Sequence, residues 1–144
     1  MKFIDSAYDP NTGMSVVIMQ HLGEKFEGTA KVHPDDEKGS SYFGCQLAEI
    51  RATIKALKYE RKLAKQKSDE ALDFVKACQC YRIFNKDDNT AKLMYRQLNR
   101  RIKKVNDLTD KINELLKEED ICKHQRQIVI NAIERHKEMT KEDK

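Results

Sequence analysis

Beyond Gly44 the chain contains neither glycine nor proline for a hundred residues; all five glycines and both prolines lie at or before that position. These are the residues that interrupt helices most effectively, so the backbone of residues 45–144 meets no intrinsic stop to helix formation. Tryptophan is absent and aromatics are 7% of the 144 residues, while charged residues reach 36%. That balance is unusual for a compact domain and allows only a modest core. No stretch approaches the ~20 consecutive apolar residues of a membrane span. The opening Met1-Lys2-Phe3-Ile4-Asp5 lacks the apolar centre of a secretory signal. The four cysteines (Cys45, Cys78, Cys80 and Cys122) lack the spacing of a disulfide framework. A reduced, cytoplasmic protein with no membrane contact is therefore expected.

The net charge of +4 is unevenly spread. Residues 1–43 carry four lysines against seven acids, and residues 44–86 carry ten bases against five acids. An acidic head thus precedes a basic helix, which favours either contact between them or recruitment of an anionic ligand.

Residues 2–8 read as a strand, and Asp9-Pro10-Asn11-Thr12-Gly13 as a turn. The β-branched run from Met14 to Gln20 makes a second strand, and His21-Leu22-Gly23-Glu24 a tight hairpin with Gly23 at positive φ. From Lys25 to Val32 the pattern alternates, placing Phe26, Gly28, Ala30 and Val32 on one face. Gly28 there implies a bulge or a close backbone approach. Such a three-stranded antiparallel sheet has one apolar face that must be covered.

Residues 33–44 read as a loop, with one helical turn possible from Pro34, and a long helix is expected from near Cys45. Leu47, Ile50, Ile54 and Leu57 form a stripe at spacings of three and four, continued by Arg61, Ala64, Ser68, Ala71, Val75 and Cys78. The later members are small and suit packing against another helix. Tyr81, Ile83 and Phe84 end this helix, residues 85–90 form a turn, and Asp88, Asn89 or Thr90 caps the next helix. There Ala91, Tyr95, Leu98, Ile102, Val105, Ile112 and Leu116 share a face, with Thr109 in the gap. Opposite lie Lys92, Arg96, Arg100, Lys103, Lys104 and Lys111, a solvated face. Near residues 117–121 the apolar phase slips. Either the helix carries a stutter or a turn begins a third helix. A helix of ~40 residues is ~60 Å long, more than a 43-residue head can shield, so it must fold back on a second helix, pair with another chain, or both.

The expected architecture is α+β: an N-terminal β-meander with its loop over residues 1–44, then two or three long amphipathic helices in an antiparallel coiled coil over 45–144. Homo-oligomerisation, as a dimer or higher, is expected through Tyr95, Leu98, Ile102, Val105 and Ile112, or through the thin face from Ala64 to Cys78.

The leading candidate site is the basic stripe Arg51, Lys55, Lys58, Lys62 and Lys65, about 75° around the helix from the apolar stripe. Cations beside an apolar seam can meet a phosphate-bearing ligand or an acidic protein, or can stay solvated beside a coiled-coil seam. Tyr42 and Phe43, in Ser40-Ser41-Tyr42-Phe43-Gly44, would add stacking area or simply pack onto the sheet. The cysteines and histidines promise little. Two residues apart on a helix, Cys78 and Cys80 diverge by ~200°, as do Cys122 and His124. His21 and His33 flank a strand. No metal site, cofactor or nucleophile–base pair is expected.

Two resemblances bear on function. Phe3-Ile4-Asp5-Ser6, three strands, and then Ala48-Glu49-Ile50-Arg51-Ala52 resemble the first half of a ribonuclease H domain. In that family a strand-one aspartate and a helix glutamate bind metals, places that Asp5 and Glu49 roughly match. The family then needs a strand ending in a third carboxylate, where this chain stays helical, so catalysis is not expected. Thr12-Gly13, Gly28-Thr29-Ala30, His33-Pro34-Asp35-Asp36, Gly44 and Ala48-Glu49-x-Arg51-Ala52 resemble small phage or prophage accessory proteins of Gram-positive hosts, over about a third of the chain. That resemblance implies a non-enzymatic viral binding protein that inhibits a host defence pathway, by sequestering an anionic small molecule or occluding a host protein. Nucleic-acid binding by the basic helix over 51–67 and a purely structural oligomerising rod are the alternatives.

Overall fold

The computed structural model describes residues 1–31, 40–80 and 89–142, with backbone alone for 40–42. Three strands, β1 (Lys2–Asp9), β2 (Met14–His21) and β3 (Glu24–Lys31), are followed by two helices, α1 (Ser40–Cys80) and α2 (Asn89–Glu142). The α+β class, the β-meander and the long helices expected from the sequence are all present. Val32, His33, the helical turn at Pro34, the end at Tyr81, Ile83 and Phe84, and the 85–88 turn lie outside the described residues.

The sheet has the order β1-β2-β3, antiparallel throughout. Gly13 takes a φ of 70° in the first turn, where the Asp9 carboxylate accepts from Asn11 N and the Thr12 hydroxyl and is thereby held below its ordinary pKa of 3.8. The β2–β3 hairpin turns at Leu22 (φ 52°) and Gly23 (φ 80°), a pair of left-handed residues whose twist suits a two-residue hairpin. Burial along β2 alternates: Ser15, Val17 and Met19 are buried and the residues between them half-buried. Facing the same way on β3 are Gly28 and Ala30, also buried.

By its contacts the chain divides into two units, one of residues 1–56 with 113–144, the other of residues 57–112. In the first, the inner sheet face meets α1 through Leu47, Ala48 and Ala52, and Cys122 of α2 completes the core. At Gly28 strand and helix approach closely. A Cβ there would lie 1.8 Å from Ala48 O and 2.5 Å from Ala52 N, so the helix backbone rests directly on the strand. Alanines at 48, 52 and 56, all fully buried, keep that helix face flat enough to do so.

In the second unit α1 and α2 segments pair with partners in opposite order. Arg61 Nη1 donates to Thr109 Oγ1 (3.5 Å), Arg101 Nη1 to Lys67 O (2.9 Å), and Gln79 Nε2 to the Tyr95 hydroxyl. The thin stripe of α1 is confirmed: Ala64, Val75 and Cys78 are buried and Arg61, Ser68 and Ala71 half-buried.

One expectation needs correction, and one open choice is resolved. The first helix starts at Ser40, not near Cys45, and Gly44 is buried inside it. A helical glycine costs only about 1 kcal/mol relative to alanine, which tertiary burial readily outweighs. Of the two readings near residues 117–121, the unbroken helix holds and the third helix does not, because α2 is continuous to Glu142. Its covered positions (91, 94, 98, 101, 105, 108, 112, 115, 119, 122, 126, 130 and 133, with Thr109 beside Leu108) alternate threes and fours as far as Arg126 and then take a second four to Ile130. The apparent slip arises because Arg101, Glu119 and Arg126 occupy this row while Ile102, Leu116 and Ile121 stand beside it, exposed.

Candidate functional site

The predicted basic stripe is divided between two different jobs. In the sheet unit, β3 is an edge strand, and alternate carbonyls of such a strand point away from its neighbour. Three of them are taken by cations: Glu27 O by Lys55 Nζ (2.7 Å), Thr29 O by Arg51 Nη1 (2.8 Å) and Lys31 O by Arg126 Nη2 (3.0 Å). Arg51 also donates through Nε to Glu119 Oε1 at 3.0 Å, and Lys123 Nζ stands 3.3 Å from the same oxygen. Burial opposes ionisation of Glu119, but hydrogen bonds from Arg51 and Lys123 outweigh it and hold the carboxyl below its ordinary 4.5. Arg51 and Lys55, expected at a ligand site, thus have their donors engaged along the β3 edge. The sequence reading missed this use because an edge carbonyl has no signature in the side-chain pattern.

Phe43 packs against the sheet core, as one of its two readings anticipated. Its carbonyl lies 4.0 Å from the Cys122 thiol, whose pKa is pushed up by burial. The Tyr42 side chain lies outside the described residues. Asp5 pairs with Ile18 on the outer sheet face, whereas Glu49 sits on the helix that covers the inner face, so the two carboxylates implied by the ribonuclease H resemblance are not brought together.

The remaining stripe residues, Lys58, Lys62 and Lys65, belong to the second unit and line a groove of about 530 Å³. Spacings of three and four put Lys58, Arg61, Lys62, Lys65, Ser68 and Asp69 on one face of α1. The facing wall comes from α2: Ile102, Val105, Asn106 and Thr109. Four cations thus surround an apolar floor, with hydroxyl and amide groups for orientation and Asp69 as the single carboxylate of the lining. Arg61 is steadied by Thr109, whose hydroxyl in turn donates to Val105 O at 3.0 Å. All four cations of the lining stand on the α1 wall, while Lys104 of α2, outside the lining, pairs with Glu60 at 3.8 Å. A cleft of this size accommodates a molecule of nucleotide dimensions.

Of the residues expected at an oligomer interface, Leu98 and Ile112 are buried and Val105 half-buried within the protomer. Tyr95 and Ile102 keep 40% of their surface exposed. Among the described residues there is no cluster of His, Cys, Asp and Glu placed to hold a metal ion, and no helix is long and apolar enough to cross a membrane. No family model, curated protein or solved structure matches this chain.

Proposed function

We propose that this protein is a non-enzymatic binding protein whose α1–α2 groove captures a small phosphate-bearing molecule. The observation that carries the proposal is the convergence of Lys58, Arg61, Lys62 and Lys65 on one open groove floored by Ile102 and Val105. Ammonium and guanidinium groups make charge-assisted hydrogen bonds to phosphate, and the aliphatic floor accepts a base or sugar face. The resemblance to small phage proteins supports a purpose for such capture: stoichiometric sequestration of a host defence signal in the cytoplasm. Coiled-coil pairing of α1 with α2 fits the repeat of covered positions at three and four and would give the groove rigid walls.

Calorimetric titration with ATP, pyrophosphate and a single-stranded oligonucleotide tests this reading. One saturable site for a small phosphate compound is expected, and Lys58→Glu with Lys62→Glu should weaken it by at least about 100-fold, since each charged hydrogen bond is worth about 1.5–3 kcal/mol. Binding of the oligonucleotide alone, with affinity falling steeply as salt rises, would favour the nucleic-acid alternative instead.

A further inference from the structure

The two edges of the sheet are treated differently. The outward carbonyls of β3 are occupied by Lys55, Arg51 and Arg126. All eight residues of β1 are exposed. One side chain that meets the β1 backbone comes from β1 itself, Asp5 Oδ1 accepting from Ser6 N at 2.8 Å. An open edge with apolar side chains is a template for another strand.

The sequence of β1 says which strand. Pairing with β2 puts Phe3, Ser6 and Tyr8 on the inner face opposite Met19, Val17 and Ser15, and Lys2, Asp5, Ala7 and Asp9 on the outer face. Ile4 is the extra residue of a bulge between Phe3 and Asp5. Seven paired positions remain, and Ser6 is their midpoint. In an antiparallel duplex of β1 with itself about Ser6, Lys2 lies opposite Asp9 of the second copy, Phe3 opposite Tyr8, Asp5 opposite Ala7, and Ser6 opposite Ser6. Every pair joins residues of like face, as strand pairing requires. Two Lys–Asp pairs and two Phe–Tyr pairs result, both favourable cross-strand combinations. The neighbouring registers that also keep the faces matched are centred on Asp5 or Ala7, and they set Asp5 against Asp5 or against Asp9. Phe3 and Tyr8, now 52% and 40% exposed, are the apolar surface that the correct register covers.

We infer that β1 is a self-pairing edge through which two copies of this chain join their sheets about a two-fold axis at Ser6. On pairing, the Ser6 N–H exchanges the Asp5 carboxylate for the Ser6 carbonyl of the second copy. This surface is independent of the groove and of the helix faces expected to mediate assembly.

Sedimentation velocity of the full chain over a range of concentrations, together with cross-linking, tests the inference. A dimer is expected whose dissociation constant rises at least about tenfold with Lys2→Glu, which opposes like charges twice, and stays near the wild-type value with Lys2→Arg. Mild oxidation of Ser6→Cys should yield a covalent dimer that the wild-type chain, with its own four cysteines, does not form. A monomer at every concentration, including one that adds a strand only from another protein, would overturn the inference, as would a dimer indifferent to Lys2→Glu in which Ser6→Cys does not cross-link.

Discussion

Gly28→Ala should destabilise the protein by about 3–5 kcal/mol, a large fraction of the 5–15 kcal/mol that typically holds a domain folded. The added methyl would stand 1.8 Å from Ala48 O, 2.5 Å from Ala52 N and 2.9 Å from Ala48 C. All three are backbone atoms of α1, so no side chain can rotate out of the way. The helix must lift from the sheet, and the contacts of Leu47, Ala48 and Ala52 with Val17, Met19 and Ala30 loosen together. Gly23→Ala is the informative control. A Cβ there meets nothing within 4 Å, and only the φ of +80° penalises it, at about 1–2 kcal/mol. Urea denaturation followed by circular dichroism separates the two. Equal midpoints for both variants would mean that the helix does not rest on the strand at Gly28.

Arg51→Met should cost about 2–4 kcal/mol at neutral pH, because one side chain serves two acceptors. Its removal strips Thr29 O of a donor and leaves Glu119, whose side chain is only 14% exposed, with Lys123 alone. The same pair sets an acid dependence. Since Glu119 titrates lower when folded than its ordinary 4.5, the unfolded chain binds more protons in this range. The stability due to Glu119 is complete above pH 4.5 and is lost as pH falls through the folded value. Arg51→Met should therefore flatten the acid limb of a stability profile measured between pH 6 and 3. A wild-type slope retained in the variant would show that Arg51 does not hold Glu119 ionised.

These two positions also show how far the sequence could be read. Gly28 within an alternating strand announced a close approach, although not that the neighbour would be a helix backbone. The α1 stripe from Leu57 to Cys78 was legible because its members are apolar or small. Along α2 the row was legible only in part: Ala91, Leu98, Val105, Thr109 and Ile112 are covered as expected, but Arg101, Glu119 and Arg126 also sit in the row and turn its polarity against the usual rule. Their long aliphatic stems can cover apolar surface while the charged ends stay engaged, Arg101 and Arg126 donating to the carbonyls of Lys67 and Lys31 and Glu119 accepting from Arg51. Arg51 and Lys55 looked like Lys58 and Lys62 for the opposite reason: four cations at one spacing are equivalent until their neighbours are known. Only the fold reveals that the first two face β3 carbonyls and the last two face Ile102 and Val105.

Capture of a phosphate-bearing molecule between α1 and α2 is tested most directly by native mass spectrometry of protein freshly purified from cells that make the candidate ligands. The expected spectrum carries an additional mass of a few hundred daltons per protomer, which disappears when Lys58→Glu and Lys62→Glu are combined. A protomer of bare polypeptide mass that also acquires no adduct when nucleotides are supplied in excess would contradict the account.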